Sequence, residues 1–309
     1  MDRPPEAYMH VGIVHFMLHP ELQSGDGPNL ESVEALATDG FFHALEVTHV
    51  NDDATRAELA RRARTARLAL GYGAHPALLL EKLDLSSADP DVRERGIEAM
   101  LRGVDEAHEL DATLVGVLDG PNSAPATDDD VEPALDRLAD SLKQICHHAA
   151  RLGIWIALEQ FDRDIEKRSL LGPIDLCIRV SEMVRADTPN FGLCLDLSHL
   201  PLLGEDPPTS VRQAADHIIQ AHIGNCLISD RSHPQWGDQH PVFGEPGGVN
   251  DVPELAAFLE ALFEIGYFDK DLPTPMPLVS FEMKPAPYQT TAEIIGNAKR
   301  TFAAAWARV

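Results

Sequence analysis

Apolar residues along this chain follow two alternating rhythms. Short runs rich in β-branched and aromatic side chains recur, and each precedes a longer stretch where apolar positions return every three to four residues, the spacing of an amphipathic helix. The first run is VGIVHF, near residues 11–16, with a helix around NLESVEALATDG. FHALEVTH, near 42–49, precedes the charged helix DDATRAELARRARTARLAL, which Asp52 or Asp53 can cap at its amino end. Strand three, GYGAH, ends at His75 and leads to a helical region from about Asp89 to Leu110. Strand four, ATLVGVLDG, places Asp119 at its carboxyl end, before the turn residues Gly120 and Pro121. The helix EPALDRLADSLKQICHHAARLG delivers strand five, IWIALE, and PIDLCIRVSEMVRA leads to strand six, FGLCLD. Strand seven, IIQAH, is separated by a long polar loop from the amphipathic VPELAAFLEALFEIGY; PLVSFE, strand eight, precedes the terminal helix TAEIIGNAKRTFAAAWARV.

Eight β-then-α units predict a parallel sheet closed into an α/β (β/α)8 TIM barrel, with its active site at the carboxyl ends of the strands. No low-complexity tract or linker interrupts residues 1–309, so the expectation is one domain; Pro273, Pro275 and Pro277 merely end the region before strand eight. A doubly wound open sheet would favour a glycine-rich phosphate loop, and neither GxGxxG nor GxxxxGK[ST] occurs.

Alternate side chains of a strand face the same way, so parity separates barrel interior from exterior. Trp155, Ala157 and Glu159 share one face, as do Gly192, Cys194 and Asp196, then Ile218, Gln220 and His222, then Leu278, Ser280 and Glu282. The complementary positions are almost purely apolar, as residues under helices should be. The inward series therefore deliver Glu159, Asp196, His222 and Glu282 to one end of the barrel. Three carboxylates and one imidazole suit a divalent cation, with Mn²⁺ as the leading assignment and Mg²⁺, Co²⁺ or Zn²⁺ as alternatives.

Composition narrows the partners. Fifty acidic against 25 basic residues give a formal charge of −25, which repels phosphate backbones and anionic membrane surfaces and leaves small molecules as the expected ligands. The start, MDRPPEAYMHVG, lacks the signature of a secretory signal and no apolar stretch is long enough to span a bilayer, so a soluble, cytoplasmic protein is expected. Cys146, Cys177, Cys194 and Cys226 form no CxxC pair and read as reduced, buried thiols.

The stretch IIQAHIGNCLISDRSHPQWGDQHPVFGEPGG, 218–248, runs from His222 into a loop carrying Arg231, His233, Trp236, Asp238 and His240. Lys284 shares the parity of Glu282, His199 follows Asp196 by three residues, and His15 and His75 close strands one and three. His147 and His148 fall in a helix, away from the expected site.

A strand ending in Glu (ALEQFD), one ending in DxxH (DLSH), one in His (AHIGN) and one in Glu (SFEMKP) resembles the pattern of the xylose isomerase-like TIM barrels. Those include ketose 3-epimerases, other sugar isomerases, inosose dehydratases and apurinic endonucleases. The resemblance implies that Glu159, Asp196, His222 and Glu282 hold a metal, with Glu159 and Glu282 also acting as acid and base on opposite faces of a sugar carbon. It implies an isomerase or epimerase working on a ketose or keto-sugar through an enediolate. His240 is then a proton-transfer or substrate residue, and His199, Lys284, Asp238, Arg231, Trp236 and His75 are candidates for substrate contact. Arg231 departs from the family habit of an arginine soon after the strand-seven histidine.

GDQHP followed by GG is also similar to the large subunits of C-glycoside deglycosidases, which implies a lyase acting on 3-oxo-glycosides with a small β-rich partner subunit. The Asp238-x-His240 pair resembles the endonuclease branch, where such residues hold additional zinc, but Glu46, His49 and His75 are poor substitutes for its other ligands and the net charge opposes DNA. A barrel that binds sugar without catalysis is the remaining alternative. A homo-oligomer is implied by the resemblance alone.

Overall fold

The computed structural model of the chain describes residues 3–309. Its strands are β1 (His10–Val14), β2 (Ala44–Val47), β3 (Ala69–Gly73), β4 (Leu114–Val117), β5 (Trp155–Glu159), β6 (Phe191–Asp196), β7 (Ile218–Ile223) and β8 (Leu278–Phe281). Each pairs in parallel with the next and β8 returns to β1, so the sheet is the closed eight-stranded barrel that the alternation predicts. Parallel strands covered on both faces are buried along nearly their whole length, β6 and β7 at every position, which explains their near-continuous apolar reading.

The long helices are α2 (Asn29–Asp39), α3 (Asp53–Ala66), α5 (Pro90–Glu109), α6 (Val131–Arg151), α7 (Ile174–Arg185), α10 (Val252–Glu264) and α11 (Thr291–Trp306). Their starts follow local chemistry. Asp52 accepts the Thr55 N–H at 2.7 Å and so is the cap of α3; α10 and α11 begin with capping boxes, Asp251 with Glu254 and Thr290 with Glu293. Short helices sit where strand ends become loops: α1 (His15–Leu18), α4 (His75–Glu81), α8 (His199–Leu202) and α9 (Pro207–Gln213). His15 and Phe16 therefore belong to a helical turn rather than to strand one.

Inside the barrel, Ala44, Leu114, Ala157, Cys194, Ile219 and Leu278 pack into one apolar layer. The presence of Ile219 corrects the parity of strand seven. The β6–β7 register shifts between Leu193 and Cys194, so Leu193 pairs with Ile218 and Cys194 with Gln220. This irregularity puts Ile219 inside and leaves Ile218 with the core beneath the helices, while Gln220 and His222 still face inward. The carboxyl end of the strand, with Gln220 and His222, keeps its predicted face and the opposite end does not.

Candidate metal centre and active site

Glu159 closes β5, Asp196 closes β6, His222 lies at the end of β7, and Glu282 follows β8 directly. All four are buried. Oxygens of Glu159, Asp196 and Glu282 lie within 4.8 Å of one another. The His222 imidazole sits between them, its Nδ1 3.1 Å from Glu159 Oε1 and 3.0 Å from Glu282 Oε2. Its other nitrogen, Nε2, lies 3.0 Å from Glu46 Oε2, and Gln220 donates to the same oxygen at 2.7 Å. An Nε2–H donated to Glu46 leaves the Nδ1 lone pair facing Glu159 and Glu282, the arrangement a ligating histidine needs.

The donors fit a divalent cation. Glu282 Oε2 is buried without a hydrogen bond although His222 Nδ1 is 3.0 Å away, because the two are not aligned for one. His75 Nε2 stands in the same relation to Glu159 Oε2, at 3.1 Å. Buried lone pairs that converge without hydrogens between them are costly unless a positive charge satisfies them, and oxygen-rich ligation with one nitrogen matches a hard to borderline divalent ion.

The carboxylates that would attract a cation also favour a proton on His222 in its place. Burial alone would push the Glu159 carboxyl up, but the His222 and His75 imidazoles hold it well below the usual carboxylate range. For His222 burial opposes the charged form, and the neighbouring Cys194 sulfur together with Glu46 and Glu159 outweighs it, raising its pKa well above the ordinary histidine value.

Beside this centre lies a second group. His199 donates Nδ1–H to the Gln160 carbonyl at 2.7 Å, which turns Nε2 toward Asp196 Oδ2 at 3.3 Å and Asp238 Oδ1 at 3.0 Å. His240 brings Nε2 to 2.9 Å from Asp238 Oδ1 and 3.5 Å from Glu282 Oε1. Burial lowers the His240 pKa, but Glu282 and Asp238 raise it further, to about 9. Its backbone is left-handed, φ 47°, a conformation that costs energy outside glycine and is held here by the Lys284 N–H bonding the His240 carbonyl at 3.0 Å.

A cavity of about 230 Å³ opens onto Glu46, Glu159, His222 and Glu282, with Asp238, His240, His75, Lys167 and Lys284 also in its wall and Phe16 and Phe161 as apolar surfaces. His75, His222 and His240 thus share with Glu159 and Glu282 a space that has both apolar and cationic walls, while Asp196 and His199 lie buried behind it. A sequence model described as "Xylose isomerase-like TIM barrel" matches residues 30–295. The chain belongs to the xylose isomerase-like TIM barrel family.

A curated relative, the ketose 3-epimerase of Arthrobacter globiformis, is 30% identical over 213 residues, covering 66% of this chain and 65% of the relative's own length. Among solved structures, L-ribulose 3-epimerase superposes with a TM-score of 0.74 at 22% identity, over 97% of this chain and 95% of that one. The IolI protein with a bound zinc atom gives 0.73 at 20% identity, over 97% and 99%. D-psicose 3-epimerase of Clostridium cellulolyticum H10 gives 0.67 at 20%, over 97% and 96%. At these identities the structural likeness establishes the shared fold.

Within this family member, the sequence-predicted residues separate into two sets. Glu159, Asp196, His222, Glu282, His199, Asp238 and His240 come together, and His75 and Lys284 reach the cavity. Arg231 and Trp236 do not: Arg231 is exposed and its guanidinium stacks 5.6 Å from the Trp236 ring centroid, outside the cavity wall. They pair with each other because the loop from Asn225 folds back, Leu227 bridging to Gly237 and Gly248, which turns this segment toward solvent. His15 also turns away, bonded to Ser32 Oγ at 2.7 Å. Asp119 accepts Ser123 Oγ at 2.5 Å and the Leu170 N–H at 2.8 Å, so it clasps two loops. His49 pairs with Glu106 at 2.6 Å in a neighbouring groove, and His148 pairs with Asp105 on the helical surface.

Three residues escaped sequence reasoning or were undervalued. Glu46 was visible as an inward position two beyond Ala44, and its role depends on reaching His222 across the barrel. Gln220 stands behind Glu46. Lys167 lies in the loop after β5, where no periodicity fixes direction. All four cysteines are free and buried, as expected, and no helix among the described residues is long and apolar enough to cross a membrane.

Proposed function

We propose that the protein is a divalent-metal-dependent sugar epimerase or isomerase that moves a proton at the carbon beside a ketose carbonyl. The observation that carries this reading is the placement of two buried glutamates, Glu159 and Glu282, on either side of one imidazole nitrogen within a cluster of cation-seeking lone pairs. Glu159, Asp196, His222 and Glu282 would hold the ion, which when bound supplies positive charge to the adjacent oxygens of an enediolate.

The remaining chemistry belongs to the chain's own side chains. One glutamate takes the carbon-bound proton and the electron pair shifts onto the carbonyl, giving the enediolate; the other returns a proton to the opposite face, which inverts the carbon. The 3-epimerase activity of the Arthrobacter globiformis relative points to C3 as that carbon. His240 holds a sugar hydroxyl from the side of Glu282, with His199 buried behind it against Asp196 and Asp238, and Lys284, whose ammonium donates to Gln239 Oε1 at 3.1 Å, meets a more distant hydroxyl. Phe16 and Phe161 keep water from the reacting carbon.

The test is incubation of the Mn²⁺-supplied protein with a panel of free ketoses in D₂O. Expected is solvent deuterium at C3 together with the C3 epimer, and loss of both in Glu159→Gln and Glu282→Gln by about 10³-fold or more, since each removes a proton-transfer group and a ligand. Absence of deuterium from every ketose would sink the proposal.

A further inference from the structure

Lys167 stands at the end of an anchored loop. Asp162, fully buried just after β5, accepts three consecutive backbone N–H groups: Ile165 at 2.6 Å and Glu166 at 2.7 Å on Oδ1, and Lys167 at 2.7 Å on Oδ2. From the other side the Asn122 N–H bonds the Lys167 carbonyl at 2.7 Å, and the Ser169 N–H bonds the Asp162 carbonyl at 2.9 Å. The backbone at Lys167 is therefore fixed by five hydrogen bonds around it, and the ammonium leaves from a defined point. It reaches Asp238 Oδ2 at 2.9 Å and Glu166 Oε1 at 3.1 Å, with only 18% of the side chain exposed.

The state of Asp238 explains why this matters. Its Oδ1 is close to both His240 Nε2 and His199 Nε2, at 2.9 and 3.0 Å, yet neither contact is aligned as a hydrogen bond. Among the described residues, the bond from Lys167 is the one hydrogen bond its carboxylate accepts. A buried carboxylate with one aligned bond takes its orientation from that bond. The two imidazoles in turn read the position of Oδ1.

We propose that Lys167 is a positioning residue: it fixes the Asp238 carboxylate, and through it the direction in which His240, packed beside the buried His199, presents Nε2 to the substrate. This rests on the epimerase reading for its kinetic consequences, and on geometry alone for its structural ones. Lys167 performs no proton transfer and contributes no metal ligand.

Four measurements test this assignment together. Lys167→Met is expected to lower kcat by about tenfold or more while KM moves less than about threefold, and Lys167→Arg, which keeps a buried cation and donor, to recover most of the loss. In an Asp238→Asn background, Lys167→Met should lower kcat further by less than about twofold, because the two side chains act as a unit. Mn²⁺ binding, followed by calorimetry with the metal alone, should be unchanged in Lys167→Met. A crystal structure of the same variant should show the Asp238 carboxylate rotated away from His240.

An unchanged kcat, a rise in KM alone, additive losses in the double variant, or an unmoved Asp238 would each overturn the assignment. If the wild-type protein exchanges no proton with any ketose, the functional reading falls, and the crystal structure still decides whether Lys167 sets Asp238.

Discussion

Glu46 shows how far a single side chain's meaning depends on its partner. It contributes no ligand position, but its contact with His222 Nε2 decides which imidazole nitrogen is free for a cation. Glu46→Gln keeps the shape and weakens that acceptor, so Mn²⁺ affinity measured by calorimetry should fall by about ten- to a hundredfold, the usual cost of losing such a partner. Asp119 makes a different prediction. Burial raises its carboxyl from 3.8 to about 6 despite the Ser123 hydrogen bond. The folded protein thus binds a proton more tightly than the unfolded chain, and the stability this confers is complete below 3.8 and lost as pH rises through about 6. Asp119→Asn escapes that loss while retaining an acceptor oxygen. Relative to wild type its Tm should therefore improve between pH 4 and pH 7.5, by the equivalent of up to about 3 kcal/mol. An offset independent of pH would contradict the raised pKa.

At the scale of elements, the strand ends carry most of the design. Strand parity was legible for β5, β6 and β8 because a side-chain period of two leaves no freedom once one face is apolar. In β7 the register shift broke that rule at Ile218 and Ile219, and nothing in the run IIQAH marks where two apolar neighbours exchange faces. Helix starts followed the chain's own chemistry, so Asp52→Ala should cost about 1 kcal/mol by chemical denaturation without changing metal affinity. The turn after β7 is less forgiving. A Cβ on Gly224 would lie 2.7 Å from the Glu282 carbonyl oxygen and 3.2 Å from His240 Nδ1. Gly224→Ala must push apart the strand end bearing Glu282 and the loop bearing His240. It is expected to lower both Tm and kcat, whereas an effect on Tm alone would show that the two segments move together.

For the whole molecule, the formal charge of −25 and the convergence of the Glu159, Asp196 and Glu282 carboxylates act in the same direction. Self-repulsion at the barrel mouth is relieved by a bound cation, so Mn²⁺ at about 100 times its Kd should stabilise the fold by about 2.7 kcal/mol, seen as a rise in Tm that chelation reverses. Glu159→Gln should abolish that rise. Eight repeats of one local unit were enough to specify the closed parallel barrel, and the side-chain period of two was enough to bring Glu159, Asp196, His222 and Glu282 to one end of it. Only the folded chain settles the rest: that Glu46 reaches Gln220 and His222 across the barrel, that Arg231 and Trp236 turn outward, and that Lys167 comes to rest on Asp238. Those residues lie in loops or meet across the barrel, and neither a loop's direction nor a contact between distant strands leaves a period in the chain.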